Sequence, residues 1–70
     1  MTLAQLRRAR GLRQIDLAQR LGVVQSRVSA IEKTPLANLE WGTVRSYLEA
    51  IGIHGQITAQ TADGNPIQLR

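Results

Sequence analysis

Side chains able to make or break covalent bonds are scarce in this 70-residue chain. It has no cysteine, and His54 is its single histidine. Without thiols there is no disulfide framework and no thiolate metal site, and one imidazole does not build a zinc cage. No glycine-rich phosphate loop and no carboxylate pair with a placed partner stands in the sequence. His54 therefore reads as a solvated or packing residue, and no enzymatic activity, metal or cofactor is expected. What the chain holds instead is hydrogen-bonding and charge chemistry. Amides at Gln14 and Gln25, hydroxyls at Ser26 and Ser29, and a set of arginines fall within its first half. Groups of this kind can hydrogen-bond to another molecule without transforming it.

Two short helices must position those groups. In QIDLAQRLGVVQSRVSAIE, from Gln14 to Glu32, Leu17, Ala18 and Leu21 fall at i, i+1 and i+4, and Val28 and Ile31 at i and i+3. Each helix then has one apolar stripe and a polar outer face. Gly22 lies between them, where a tight turn favours a residue without a Cβ. Two helices at a sharp angle, the second opening on small polar side chains, is the sequence form of a helix-turn-helix. The motif implies double-stranded DNA as the partner. Nine Lys and Arg against five Asp and Glu give a net charge of +4, which suits a polyanion, although a solvated basic surface has the same composition.

The flanking elements follow in order. A first helix is predicted over about Leu3–Arg10, with Thr2 and Gln5 at capping-box spacing and Gly11 as its stop. The second begins at Gln14 behind Arg13, a poor N-cap, with Asp16 in its first turn to complement the dipole. The third begins at Gln25 behind Val24, another poor cap, and ends near Lys33 because Pro35 biases Thr34 out of helical geometry. Thr34 to Trp41 reads as a loop tacked onto the core by Leu36, Leu39 and Trp41. A fourth helix should start at Gly42 or Thr43, with Val44, Tyr47, Leu48 and Ile51 as its buried face and Gly52 as its end.

After Gly52 the period changes from helical to two. Ile53, Gly55, Ile57, Ala59 and Thr61 alternate with polar neighbours, DGNP reads as a turn, and Ile67 and Leu69 continue the alternation. The expected architecture is mainly α: a four-helix helix-turn-helix domain over residues 1–52 and a β-hairpin over 53–70. An isolated hairpin is marginal in water and its edges need cover; the alternative is a frayed tail on the helices. A domain of this size buries only ~60% of its unfolded surface, and with no disulfide or metal the remaining staple is oligomerisation. A homodimer is expected, with Ile53, Ile57, Ala59, Ile67 and Leu69 at the dimer or partner interface. No apolar run approaches a ~20-residue membrane span, and the amino terminus lacks a signal-peptide core; a cytoplasmic location is expected.

At this point the residues resemble the lambda-repressor/Cro-like, or XRE, helix-turn-helix family over about Leu3 to Gly52. The matching pattern is LRRARGL, then Q-x-x-L-A-x-x-x-G-V at Gln14 to Val23, then Q-S-x-V-S-x-I-E at Gln25 to Glu32. The short chain with its hairpin looks more like a HipB-type or HigA-type antitoxin than a phage repressor. The resemblance implies that Gln14 meets a phosphate at the amino end of the second helix, where free amides and the dipole suit an anion. It places Gln25 at the main base-reading position, able to pair with adenine N6 and N7. Ser26, Ser29 and Ala30 complete the base-reading face; Arg13, Arg27, Lys33, Thr34 and Asn38 are assigned to phosphates. Arg7 and Glu32 match an ion pair that ties the first helix to the end of the recognition helix. Arg13 replaces the family's usual capping Thr, and EKTP lacks the usual glycine, so the loop after the third helix is expected on a different path.

The function expected is a sequence-specific repressor reading a palindromic operator, and the antitoxin of a type II toxin-antitoxin module with a cognate toxin as second partner. The alternatives are a stand-alone phage-type or controller-type regulator, or an adaptor without DNA binding.

Overall fold

In a computed structural model of the chain, which describes residues 1–68, four helices are followed by a two-stranded antiparallel hairpin. The helices are α1 (Leu3–Ala9), α2 (Gln14–Leu21), α3 (Gln25–Lys33) and α4 (Trp41–Ala50), with one turn of 3-10 helix at Leu36–Asn38. The strands are β1 (Thr58–Gln60) and β2 (Pro66–Gln68), paired with Ala59 opposite Ile67.

The apolar stripes meet in one core. Leu17 and Ala18 of α2, Val28 and Ile31 of α3, Tyr47 of α4 and Ile51 just beyond it are buried, with Leu3, Leu6, Leu12, Leu21, Leu39, Leu48 and Ile53 packed around them. Helix α2 lies in the middle, against both α3 and α4. The turn between α2 and α3 depends on Gly22, whose φ of +69° is left-handed, a region costly for a residue with a Cβ. There the Val23 amide donates back to Ala18 O at 3.0 Å, closing α2 in a Schellman-type motif.

Caps explain where the elements begin. Thr2 and Gln5 form the reciprocal capping box, at 2.8 and 3.1 Å. At α2 the poor cap Arg13 is compensated by more than the dipole: its amide donates to Asp16 Oδ2 at 2.8 Å, and its guanidinium reaches both oxygens of the same carboxylate. Val24 gives α3 no side-chain cap, so that helix relies on its buried face. Helix α4 begins at Trp41, ahead of the expected Gly42 or Thr43, because Glu40 is extended and Trp41 is already helical. Leu36 does not tack the loop onto the core; it is 60% exposed, while Leu39 packs inward.

The strands are shorter than the alternation suggested. Residues 53–57 form an unpaired stem, and pairing begins only at Thr58. The reason lies in what the stem packs on. Ile53 joins the core rim, and Gly55 lies so close to α4 that an added Cβ would stand 2.8 Å from Leu48 Cδ1 and 3.1 Å from Trp41 Cη2. The chain ends of the hairpin are joined by a five-residue loop in which the Thr61 amide donates to Asn65 O at 2.9 Å. Ile57 and Ile67 remain 40% and 44% exposed; Leu69, the last of the expected interface residues, lies outside the described residues.

Gly55→Ala is expected to lower stability by about 1–2 kcal/mol, the lower part of the overpacking range because the Leu48 methyl can shift. Urea unfolding followed by circular dichroism checks it; an unchanged midpoint would show that the stem does not pack on Trp41 and Leu48.

Candidate nucleic-acid interface

Helix α3 turns one face to the core and the other to solvent. Val28 and Ile31 point inward, while Gln25, Ser26 and Ala30 are exposed and Ser29 is half-buried. The exposed positions fall at i, i+1 and i+5, on one side of a helix, so the candidate readers are carried together on a single convex ridge. Arg27 is exposed at the flank, beside the shallow groove that α3 forms with Gly42, Thr43 and Ser46 of α4.

Behind the ridge stands a buried charge. The Arg7 and Glu32 side chains are only 7% and 5% exposed, and Arg7 Nε lies 2.7 Å from Glu32 Oε2. Arg7 Nη2 donates to Oε1 at 3.1 Å, and Arg7 Nη1 reaches Leu12 O at 2.9 Å. Two more donors complete the carboxylate: the Tyr47 hydroxyl to Oε2 at 2.5 Å and Gln14 Nε2 to Oε1 at 3.0 Å. Among the described residues no buried side-chain nitrogen or oxygen lacks a partner. Burial opposes the charge on Glu32, but the hydrogen bonds from Arg7, Tyr47 and Gln14 outweigh it and hold the carboxyl below its usual range. Burial and the bond to Glu32 push the Tyr47 phenol well above its usual range. At neutral pH the site therefore contains a carboxylate, a guanidinium and a neutral phenol.

Gln14 connects this buried group to the ridge. Its Oε1 accepts from Gln25 Nε2 at 3.4 Å, so the two glutamines singled out in the sequence meet across the α2–α3 turn. The remaining candidates stand apart. Arg13 is exposed but tied to Asp16, whose carboxyl the Arg13 hydrogen bonds hold below its usual range. Lys33 is exposed at the end of α3, Asn38 is exposed in the 3-10 turn, and the Thr34 hydroxyl already donates to Ala30 O at 2.7 Å.

Three contributions escaped the sequence reading. Tyr47 was expected only as core, although a buried phenol at an apolar position needs a hydrogen-bond acceptor, and that was the available signal. Arg10 Nε and Arg20 Nη1 donate to Ile51 O and Ala50 O at 3.0 and 2.7 Å. These arginines close the carboxyl end of α4 from α1 and α2, a role with no local sequence signature.

A family model described as a helix-turn-helix domain matches residues 1–60. The chain belongs to this family. Among known proteins it is similar to "Putative antitoxin HigA3" of Mycobacterium tuberculosis, 41% identical over 68 residues, covering 96% of this chain and 62% of that protein. It is also similar to "Putative antitoxin HigA2" of the same organism, 36% identical over 61 residues, covering 87% and 60%. The chain thus spans about three-fifths of the length of these curated relatives. Among solved structures, one titled "DNA bound antitoxin HigA3" superposes with a TM-score of 0.90 at 39% identity, covering 100% of this chain and 90% of that one. A second, titled "Induced DNA bending by unique dimerization of HigA antitoxin", gives 0.85 at 40% identity, covering 97% and 90%. The four-helix architecture with its terminal hairpin is therefore shared with HigA antitoxins.

Glu32→Gln leaves Arg7 buried without its counter-charge and is expected to cost roughly 3–5 kcal/mol. Because the folded carboxyl sits below its ordinary value of 4.5, its contribution is full above that pH and is lost as the pH falls through the depressed value. Urea unfolding at pH 7 and pH 3 should show parent and variant far apart at pH 7 and closer at pH 3; an equal gap at both would contradict the ionised pair.

Proposed function

We propose that the chain is a dimeric, sequence-specific DNA-binding repressor and serves as the antitoxin of a type II toxin-antitoxin module that represses its own operon. The observation that carries this reading is the exposed ridge of Gln25, Ser26 and Ala30 on α3, with Gln14 joined to Gln25 behind it. A ridge of one helix fits the major groove, where a carboxamide can pair with adenine and a methyl can meet thymine. Gln25, Ser26, Ser29 and Ala30 take the base edges. Gln14, Arg27, Lys33 and Asn38 take phosphates, with Arg13 able to join by exchanging its exposed carboxylate partner; Thr34 contributes less because its hydroxyl is committed to α3. None of these roles involves catalysis. The full-length superposition on a HigA3 antitoxin solved bound to DNA supports the DNA-binding part, and the names of the relatives support the antitoxin part.

Dimerisation is assigned to residues 53–70, following the helical domain of residues 1–52. Ile57 and Ile67 are exposed on a hairpin whose outer edges have no strand partner among the described residues, and unpaired edges favour pairing with another chain. A dimer presents two ridges to successive turns of a palindromic operator, about 34 Å apart. No helix among the described residues is long and apolar enough to cross a membrane, and action on DNA implies the cytoplasm.

Gln25→Ala should weaken binding to a duplex selected by the parent by about 1–3 kcal/mol while sparing random duplex; fluorescence anisotropy with both duplexes decides it. Replacing Ile57 and Ile67 together by glutamate should convert a dimer to a monomer by light scattering with helical content retained. A persistent dimer would move the interface off the hairpin. The antitoxin reading requires an adjacent reading frame whose product co-purifies with this chain.

A further inference from the structure

The buried network does more than brace the helices: it dictates which way the reading amide faces. A carboxylate accepts hydrogen bonds and donates none. Glu32 Oε1 therefore compels Gln14 to present its amide nitrogen, at 3.0 Å. Gln14 Oε1 is then turned toward Gln25, which must answer with its own nitrogen, at 3.4 Å. One Gln25 N–H is spent on Gln14, leaving the Oε1 and the second N–H for outside partners. These are the acceptor and donor that bidentate pairing with adenine N6 and N7 requires.

Tyr47 holds the start of this relay. Its hydroxyl carries one proton and faces two acceptors, Glu32 Oε2 at 2.5 Å and Leu3 O at 3.2 Å; the shorter contact to the charged oxygen takes the proton. With Tyr47 and Arg7 Nε both on Oε2, that oxygen is filled; Oε1 takes Arg7 Nη2 and has one place left, which orients Gln14. Without the phenol, Oε2 becomes an alternative acceptor for the Gln14 amide, while Arg7 alone is left to hold the carboxylate. We propose that Tyr47 is a positioning residue for base reading, acting through Glu32 and Gln14 to preset the carboxamide of Gln25. The proposal rests on the DNA-reading role of Gln25 given above.

The test begins with selection of duplexes by the parent protein from a randomised 30-base-pair pool. Binding to the selected duplex and to its single-base-pair variants is then measured for the parent, Tyr47→Phe, Gln25→Ala and the double variant. Tyr47→Phe is expected to lose roughly three- to ten-fold discrimination, the worth of one hydrogen bond, at the base pair that Gln25→Ala affects and at no other. The double variant should discriminate no worse than Gln25→Ala alone. Loss of affinity spread evenly over all base pairs, or additive losses, would overturn the proposal while leaving the DNA-binding reading intact. Failure of the parent to enrich any sequence would remove both.

A second measurement holds even where Tyr47→Phe does not fold. Tyr47 is the chain's one tyrosine, so 3-fluorotyrosine labels this position alone. Its fluorine resonance should shift on Gln25→Ala in the free protein. No shift would show that the phenol and the reading amide are not connected.

Discussion

The carboxylate of Glu32 is the constraint on which the arrangement of this protein turns. It takes hydrogen bonds from Arg7 on α1, Gln14 on α2 and Tyr47 on α4, while standing on α3 itself. All four helices therefore converge on one buried anion. A buried ion pair adds little net stability over an apolar equivalent, because desolvation offsets the attraction. What it imposes is geometry, since a charge that has left water tolerates few arrangements of its partners. In a small domain without disulfides, that demand ties α1, α2 and α4 to the carboxyl end of α3.

The basic residues divide along the same lines. Arg7 is buried against Glu32, while Arg10 and Arg20 terminate α4 through backbone carbonyls and keep their charge at the surface. Arg13 and Arg45 pair with surface carboxylates, where the attraction is weak and readily exchanged. Among the described residues Arg8, Arg10, Arg20, Arg27 and Lys33 make no ion pair, and Arg27 and Lys33 lie on α3 itself. The ion pairs already cancel within the net charge of +4, and beside the ridge itself the unpaired cations are Arg27 and Lys33.

The hairpin shows where a sequence pattern misleads about extent. The alternation from Ile53 onward is real, yet the first five residues pair with no strand, and two of them are packed against the helices instead. Ile53 finishes the core rim and Gly55 lies flat against Trp41 and Leu48. A side-chain period of two describes extended backbone, whether or not another strand lies beside it. Ile57 at the end of the stem and Ile67 in β2 are left partly in solvent.

The sequence by itself determined the helices, their inward stripes, the turn at Gly22 and the polar ridge of α3. All of these follow from local periodicity and backbone preference acting over a few neighbours. Its resemblance to a known family also matched Arg7 with Glu32 across 25 positions. Only the tertiary structure decided that Tyr47 completes that carboxylate, that Arg10 and Arg20 close α4, and that Gln14 faces Gln25 with a fixed amide direction. Hydrogen bonds between residues far apart in the chain depend on where the packed helices place their side chains. No local spacing encodes them. The stretch from Gln14 to Glu32 supplied the exposed polar ridge, and the fold supplied the buried anion that stands behind it.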